Sequence, residues 1–256
     1  NMTVSFAAWA DGTYHDCTIT VTDSAGNTQI IEVNTFTIDT TAPKLEEVTA
    51  VSTPTNDNTS SYTFSSTEAG NITYGVCSGS PDNASADNNT ITFDALADGT
   101  YSNCKISVTD NATNISDNLS VRSFTIDTIA PTLAEETAVT TPSDNTTPSY
   151  TFSSNEAGTI SYGGSCSSST TSASSGNNSI TFNSLSAAAY SNCKISVTDN
   201  ASNKSDNLSV SSFTIDTTAP TVSSTSPTND NSSVSVSENI SVTFSESMDN
   251  TSVTTN

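Results

Sequence analysis

The stretch Phe-Thr-Ile-Asp-Thr-Thr-Ala-Pro at Phe36–Pro43 returns unchanged at Phe213–Pro220, and a copy with one substitution lies at Phe124–Pro131. The copies start at residues 36, 124 and 213, so the chain repeats every 88 or 89 residues. This period is too long for one unit of a solenoid and is typical of a small domain that folds by itself. The repeat predicts a linear array of a partial domain, two whole domains and another partial domain, at 1–43, 44–131, 132–220 and 221–256.

Short runs of alternating apolar residues, separated by turn-rich polar segments, make up each repeat, which is the pattern of a β-sandwich. In Tyr101–Thr109, Cys104, Ile106 and Val108 alternate with polar residues, so this run presents one buried face. No segment has the period of an amphipathic helix, and the predicted fold class is all-β. The strands predicted in the first whole domain are Leu45–Val51, Ser61–Ser65, Ile72–Val76, Thr90–Phe93, Tyr101–Thr109 and Leu119–Ile126.

The charge balance is strongly acidic: 27 Asp and Glu stand against 5 Lys and Arg, for a net charge of −22. This excess argues against nucleic acid and anionic membranes as partners, and it suits divalent cations. It also suits disorder, but the apolar alternation recurs in phase with the repeat and favours folded domains. No run approaches the roughly 20 apolar residues of a membrane helix, so no membrane insertion is expected in this segment.

The cysteines follow the same phase, because Cys77 and Cys104 are spaced as are Cys166 and Cys193. A structural metal site needs clustered ligands such as a Cys-x-x-Cys pair, and no such pair is present. One disulfide per whole domain is therefore predicted, which places the protein in an oxidising compartment. Cys17 aligns with Cys104 and Cys193, and its partner is expected upstream of Asn1.

The string Ile-Thr-Val-Thr-Asp-Ser-Ala-Gly-Asn at Ile19–Asn27, with the Phe-Thr-Ile-Asp phrase after it, resembles the bacterial Ig-like repeats of large surface proteins and adhesins. The segment from Pro220 to Asp249 is similar to a different Ig-like type, found in S-layer and related secreted proteins. The resemblance implies a seven-stranded sandwich, export to the cell surface, and a spacer, scaffold or adhesive role.

In such a sandwich the last strand leaves at the end opposite to the one where the chain enters, so its final Asp meets loops of the next domain. Three carboxylates that converge there would repel one another without a cation, and Ca²⁺ takes six to eight oxygen ligands. The alternative is that these acids are ordinary turn residues. The calcium ligands predicted on this basis are Asp39, Glu68, Asp110 and Asn114 at the first joint, Asp127, Glu156, Asp199 and Asn203 at the second, and Asp216, with Glu246 or Asp249, at the third. Oxygens of Thr40 or Thr128 are expected to complete the shell.

An enzyme is not expected, because the one histidine, His15, does not recur with the repeat and has no catalytic motif around it. The segments that differ most between repeats are Ser78–Asn89 and Ser167–Asn178, which is the pattern of a variable binding loop. A carbohydrate- or receptor-binding adhesive module is therefore the alternative function.

The function expected first is a structural spacer or fibre segment of an extracellular bacterial surface adhesin, with calcium-stiffened joints and neighbouring domains or copies of the same protein as partners. The partial domains at the two ends indicate a stretch of a longer protein. A further alternative is a fibre subunit that polymerises head to tail, in which 1–35 of one molecule complete the sandwich begun by 221–256 of another.

Overall fold

The computed structural model describes residues 3–5 and 7–248, and every regular element in this part of the chain is a β-strand. Within it, no helix has the length and apolar character needed to cross a membrane. The backbone separates into two compact units. The first runs to Ala130 and includes Asp199–Asn203, and the second holds Pro131–Thr198 and the chain from Lys204 onward.

The start of the first unit consists of two antiparallel pairs, β1 with β4 and β2 with β3. In this part of the unit Val21 is 45% exposed, whereas its counterpart in the following repeat, Val108, is 0% exposed. The four strands are β1 (Gly12–Tyr14), β2 (Thr18–Thr22), β3 (Thr28–Glu32) and β4 (Phe36–Ile38).

The rest of the first unit is a sandwich with two four-stranded sheets, in the orders β5-β6-β10-β8 and β13-β12-β7-β9, and a separate pair β11-β14. All pairings between these named strands are antiparallel. The strands are β5 (Leu45–Thr49), β6 (Ser61–Ser66), β7 (Gly70–Tyr74), β8 (Gly79–Ser80), β9 (Asn83–Ala84), β10 (Asp87–Phe93), β11 (Gly99–Tyr101), β12 (Lys105–Asp110), β13 (Leu119–Ser120) and β14 (Phe124–Ile126).

Two runs predicted as single strands are each divided in two. Tyr101–Thr109 contains the end of β11 and most of β12, and Leu119–Ile126 contains β13 and β14. The physical reason is that both runs change sheet partway: β11 pairs with β14, while β12 pairs with β7 and β13. The segment predicted as a variable loop also carries the short strands β8 and β9.

The core of this sandwich is aromatic and aliphatic, with Tyr62, Phe64, Phe93 and Phe124 each at most 1% exposed. The predicted disulfide Cys77–Cys104 is present inside it, with a Cα–Cα distance of 5.3 Å. The alternation predicted for β12 is confirmed for Ile106 and Val108, but Ser107 on the other face is also buried.

One tyrosine recurs in each repeat as a tie across a corner of the fold. The hydroxyls of Tyr14, Tyr101 and Tyr190 donate to the backbone carbonyl four residues earlier, at 2.8, 2.9 and 3.0 Å. Such a corner is a hallmark of Ig-type sandwiches. It anchors β1, β11 and β20 (Ala188–Tyr190) in the same way.

The second unit repeats this architecture, with sheets β15-β16-β19 and β18-β17-β21-β22 and the pairs β20-β23 and β24-β25. Its core includes Tyr150, Phe152, Phe182 and the predicted disulfide Cys166–Cys193. Its remaining strands are β15 (Leu133–Thr137), β16 (Ser149–Ser154), β17 (Gly158–Gly163), β18 (Ser172–Ala173), β19 (Gly176–Thr181), β21 (Lys194–Asp199), whose last residue belongs to the first unit, β22 (Leu208–Ser209), β23 (Phe213–Ile215), β24 (Val222–Ser226) and β25 (Ser241–Phe244). The chain is thus all-β, in tandem Ig-like β-sandwiches.

Candidate metal centre

The sheet register brings Glu68 and Asp110 to one edge of the first sandwich. Asp110 ends β12 and lies directly opposite Gly70, which begins β7. Glu68 precedes Gly70 by two residues, in the turn between β6 and β7. This turn is closed by the Ser66 hydroxyl, which donates to the Glu68 carbonyl at 2.6 Å.

Asp39 joins this edge from the preceding part of the unit, one residue after β4. One carboxylate oxygen each from Asp39, Glu68 and Asp110 lie within 4.8 Å of one another. Asp110 is buried and the other two side chains are half-buried. The cluster lines an open cavity with Thr37, Thr67 and Asn111.

A tight loop holds the Asp110 carboxylate in place. Its Oδ1 accepts hydrogen bonds from the backbone N–H groups of Ala112 at 2.8 Å and Asn114 at 2.9 Å, and its Oδ2 accepts one from Asn114 Nδ2 at 2.8 Å. Burial raises the pKa of Asp110, but these hydrogen bonds, led by that of the Asn114 side chain, outweigh it and hold the pKa below its ordinary value.

Glu68 has the opposite shift. Burial, followed by the nearby charges of Asp39 and Asp110 and a hydrogen bond with Asp110, raises the pKa of Glu68. Like charges at this distance disfavour the ionised form, and a divalent cation between them would reverse that effect. The donor set consists of oxygens alone, which are the ligands of hard cations such as Ca²⁺.

Asn114, predicted as a calcium ligand, makes hydrogen bonds within the cluster through its amide nitrogen. Its amide nitrogen donates both to Asp110 Oδ2 and, at 3.1 Å, to the backbone carbonyl of Asp39. Only its Oδ1 is therefore left to offer to an ion. The Thr40 and Thr128 hydroxyls, expected as further ligands, donate to Asp11 and Asp98, each at 2.8 Å.

The second predicted set is divided between the two units. Asp127, Asp199 and Asn203 belong to the first, where Asn203 Nδ2 donates to Asp199 Oδ2 at 2.9 Å and to the Asp127 carbonyl at 2.8 Å. Glu156 belongs to the second, where its backbone carbonyl accepts from the Ser154 hydroxyl at 2.6 Å.

Two members of the third predicted set lie together in the second unit. Asp216 and Glu246 line one open cavity with Asp144. The Glu246 Oε1 atom is buried and has no hydrogen-bond partner among the described residues. Asp249 lies outside the described residues.

Sequence reasoning missed two polar arrangements that the repeats carry. The first is the loop Asp23–Asn27, which has the same Asp-x-x-x-Asn spacing and the same bonds from Asn27 to Asp23 as the Asp110 loop. The second is a pair of equivalent hydrogen bonds, in which the Thr40 hydroxyl donates to Asp11 and the Thr128 hydroxyl donates to Asp98. The sequence carried a signal for both arrangements, because Asp11 recurs as Asp98 and Asp23 recurs as Asp110, each 87 residues later. Asp11 and Asp23 were overlooked because neither is close in sequence to a predicted calcium ligand.

One family model matches the end of the chain. Residues 216–256 match the family described as bacterial Ig-like domain, and no curated protein matches the chain. One solved structure, the fibronectin(III)-like modules of CbhA from Clostridium thermocellum, is similar at 11% identity and a TM-score of 0.38, over 67% of this chain and 93% of that chain. A likeness this weak says nothing about what the chain binds.

Proposed function

We propose that this chain is a structural segment of an extracellular bacterial surface protein, in which tandem Ig-like domains act as a spacer and Ca²⁺ stiffens the joints. The observation that carries the proposal is the convergence of Asp39, Glu68 and Asp110, whose carboxylate oxygens lie within 4.8 Å of one another. The matched family at 216–256, the two disulfides and the acidic composition support the extracellular setting.

Calcium fits this donor set better than other common ions. Zinc sites favour His and Cys ligands, whereas Asp39, Glu68 and Asp110 offer only carboxylate oxygens. Mg²⁺ demands a near-ideal octahedron, while Ca²⁺ accepts an irregular shell of carboxylates, carbonyls and waters. Extracellular calcium modules work at dissociation constants of roughly 10⁻⁴–10⁻³ M, which three carboxylates with water ligands can reach.

The mechanical effect follows from where the three ligands originate. Asp39 follows β4, Glu68 lies in the β6–β7 turn and Asp110 ends β12. An ion held by all three restrains residues 3–43 against residues 44–130, because any rotation at the linker pulls at least one oxygen away. The joint then becomes stiffer when calcium is present.

The adhesin setting and the non-enzymatic role belong to the same proposal. Repetition supports a spacer, since a spacer gains length with each domain and needs no unique site. His15 is exposed in the partial first domain and does not recur. The repeated feature at the linkers is the aspartate of each Phe-Thr-Ile-Asp phrase.

Calcium titration of the intact chain tests the proposal. We expect calorimetry to detect calcium binding with a Kd of roughly 10⁻⁴–10⁻³ M. The free energy of unfolding should rise by about 2.7 kcal/mol at a free calcium concentration hundredfold above Kd. Asp39→Asn should remove one binding equivalent. Asp57→Asn is the matched control, because Asp57 closes a turn by accepting from Thr59 and lies outside the cluster. Identical melting and identical small-angle scattering in calcium and in chelator would exclude calcium-stiffened joints.

A further inference from the structure

The Asn114 carboxamide joins two parts of the first unit that are far apart in sequence. Its Nδ2 donates to the Asp39 carbonyl at 3.1 Å and to the Asp110 Oδ2 at 2.8 Å. Both hydrogens of the amide group thus have acceptors, one on the linker backbone and one on the buried carboxylate. This arrangement is made entirely of protein atoms.

The same arrangement occurs a second time. Asn203 Nδ2 donates to the Asp127 carbonyl at 2.8 Å and to the Asp199 Oδ2 at 2.9 Å. Asn203 and Asp199 are both buried at 9% exposure. Two copies with the same donors and acceptors indicate a built feature of the repeat, since a chance contact would not recur at both positions.

The loop at Asp23–Asn27 separates the role of the turn from the role of the linker contact. Asn27 makes the same bonds to its aspartate, from its backbone N–H to Asp23 Oδ1 and from Nδ2 to Asp23 Oδ2, both at 2.9 Å. The bonds that close this turn therefore lie within five consecutive residues. At Asn114 and Asn203 the same carboxamide also donates to the backbone carbonyl of Asp39 or Asp127.

We propose that Asn114 and Asn203 are positioning residues. Each forms a latch, by which we mean the pair of hydrogen bonds from its carboxamide to a linker carbonyl and to a loop carboxylate, with or without an ion. The linker carbonyls are those of Asp39 and Asp127, which follow β4 and β14, and the carboxylates are those of Asp110 and Asp199. The proposal rests on the proposed function for the importance of the joint, but the latch itself needs no calcium. It orients the linker so that the side chain of Asp39 faces Glu68 and Asp110 before a cation arrives. Calcium then binds to a joint that is already closed.

Asparagine is the side chain that the geometry requires. An aspartate has no N–H to donate to the carbonyl, an alanine has no polar group, and a glutamine places its amide one carbon further away. The latch is therefore sensitive to Asn114→Asp and Asn114→Ala, although both leave the backbone N–H bond to Asp110 Oδ1 in place.

Hydrogen–deuterium exchange of the full chain in chelator tests the latch. We expect Asn114→Ala to speed exchange of the backbone amides of Thr40, Thr41, Ala42 and Lys44 by about tenfold, because the carboxamide's hydrogen bonds to the Asp39 carbonyl and to Asp110 Oδ2 are both lost. Asn27→Ala removes the matching carboxamide from a loop without a linker contact, and it should leave these amides unchanged. Asn114→Asp repeats the measurement with a side chain of the same size.

Equal exchange in Asn114→Ala, Asn114→Asp and Asn27→Ala would overturn the latch. Calcium titration of the unsubstituted chain keeps this result separate from the proposed function. If that chain binds no calcium but Asn114→Ala still speeds exchange in chelator, the latch stands and the calcium proposal fails. If that chain binds calcium and the asparagine variants exchange like Asn27→Ala, the calcium proposal stands and the latch fails.

Discussion

A Cβ atom on Gly70 would overlap the backbone carbonyl oxygen of Thr109. The β7 and β12 backbones therefore approach more closely at this point than any side chain on residue 70 would allow. This approach sets the distance between Glu68, two residues before Gly70, and Asp110, one residue after Thr109. Gly70 is thus a structural requirement of the close approach on which the acidic cluster depends.

Gly70→Ala should destabilise the first unit by about 1–3 kcal/mol, because the strands must separate to admit the methyl group. Urea unfolding measures the change. Gly163→Ala is the matched control, since a Cβ there would meet only the Lys194 Cβ at 3.7 Å, an ordinary contact. Equal stability of the two variants would contradict the close approach at Gly70.

Thr113→Gly should stabilise the first unit by about 0.5–1 kcal/mol. Thr113 has a φ of 73°, a left-handed conformation that is costly for a β-branched residue, and the equivalent residue in the first loop is Gly26 with a φ of 89°. Part of the gain is offset by the greater freedom of glycine in the unfolded chain. Gly26→Thr, the reverse change, should lower the melting temperature, and a loss of stability in Thr113→Gly would refute this account.

Glu68→Gln should have opposite effects in chelator and in calcium. Without an ion the change removes a carboxylate from a cluster of like charges, so the melting temperature rises. With calcium it removes a charged ligand, so affinity falls by about tenfold and the stabilisation by calcium shrinks. Differential scanning calorimetry in the two buffers gives both values. A lower melting temperature in chelator would show that repulsion does not dominate the empty cluster, and an unchanged calcium affinity would show that Glu68 is not a ligand.

Ser211→Ala tests how hydrogen bonds lower the pKa of Glu135, a carboxylate that is not among the predicted metal ligands. The Ser211 backbone N–H and hydroxyl donate to the two oxygens of Glu135 at 2.9 and 2.6 Å. Burial raises the pKa of Glu135, but the hydrogen bonds from Ser211 outweigh it, so the net effect is a lowered pKa.

A lowered pKa in the folded state means that Glu135 stabilises the protein above its unfolded value of 4.5, and that this contribution disappears as the pH falls through the folded value. Ser211→Ala should therefore cost about 0.5 kcal/mol at pH 7, a small value because the site is largely screened by solvent. The difference from the unsubstituted chain should shrink in urea titrations as the pH falls below 4.5 and through the lower, folded-state pKa of Glu135. Ser212→Ala is the control, and a cost that stays constant with pH would contradict the mechanism.

Much of the fold followed from sequence because its signals are local and repeated. The alternation in Tyr101–Thr109 predicted the buried Ile106 and Val108, and the equal spacing of the cysteines predicted Cys77–Cys104 and Cys166–Cys193. The sequence did not predict that β11 and β12 belong to different sheets. Both strands have the same alternation of apolar and polar residues, and they differ only in the strands with which they pair.

The sequence by itself determined the repeat, the all-β class, the disulfides and which acids follow the strands. Tertiary structure alone decided that Asp39, Glu68 and Asp110 lie within 4.8 Å of one another, because that depends on the register of Gly70 with Asp110. It also decided that Asn114 donates to Asp39 and Asp110. An asparagine carries both an acceptor and a donor, and only its neighbours in space determine which of them faces the joint.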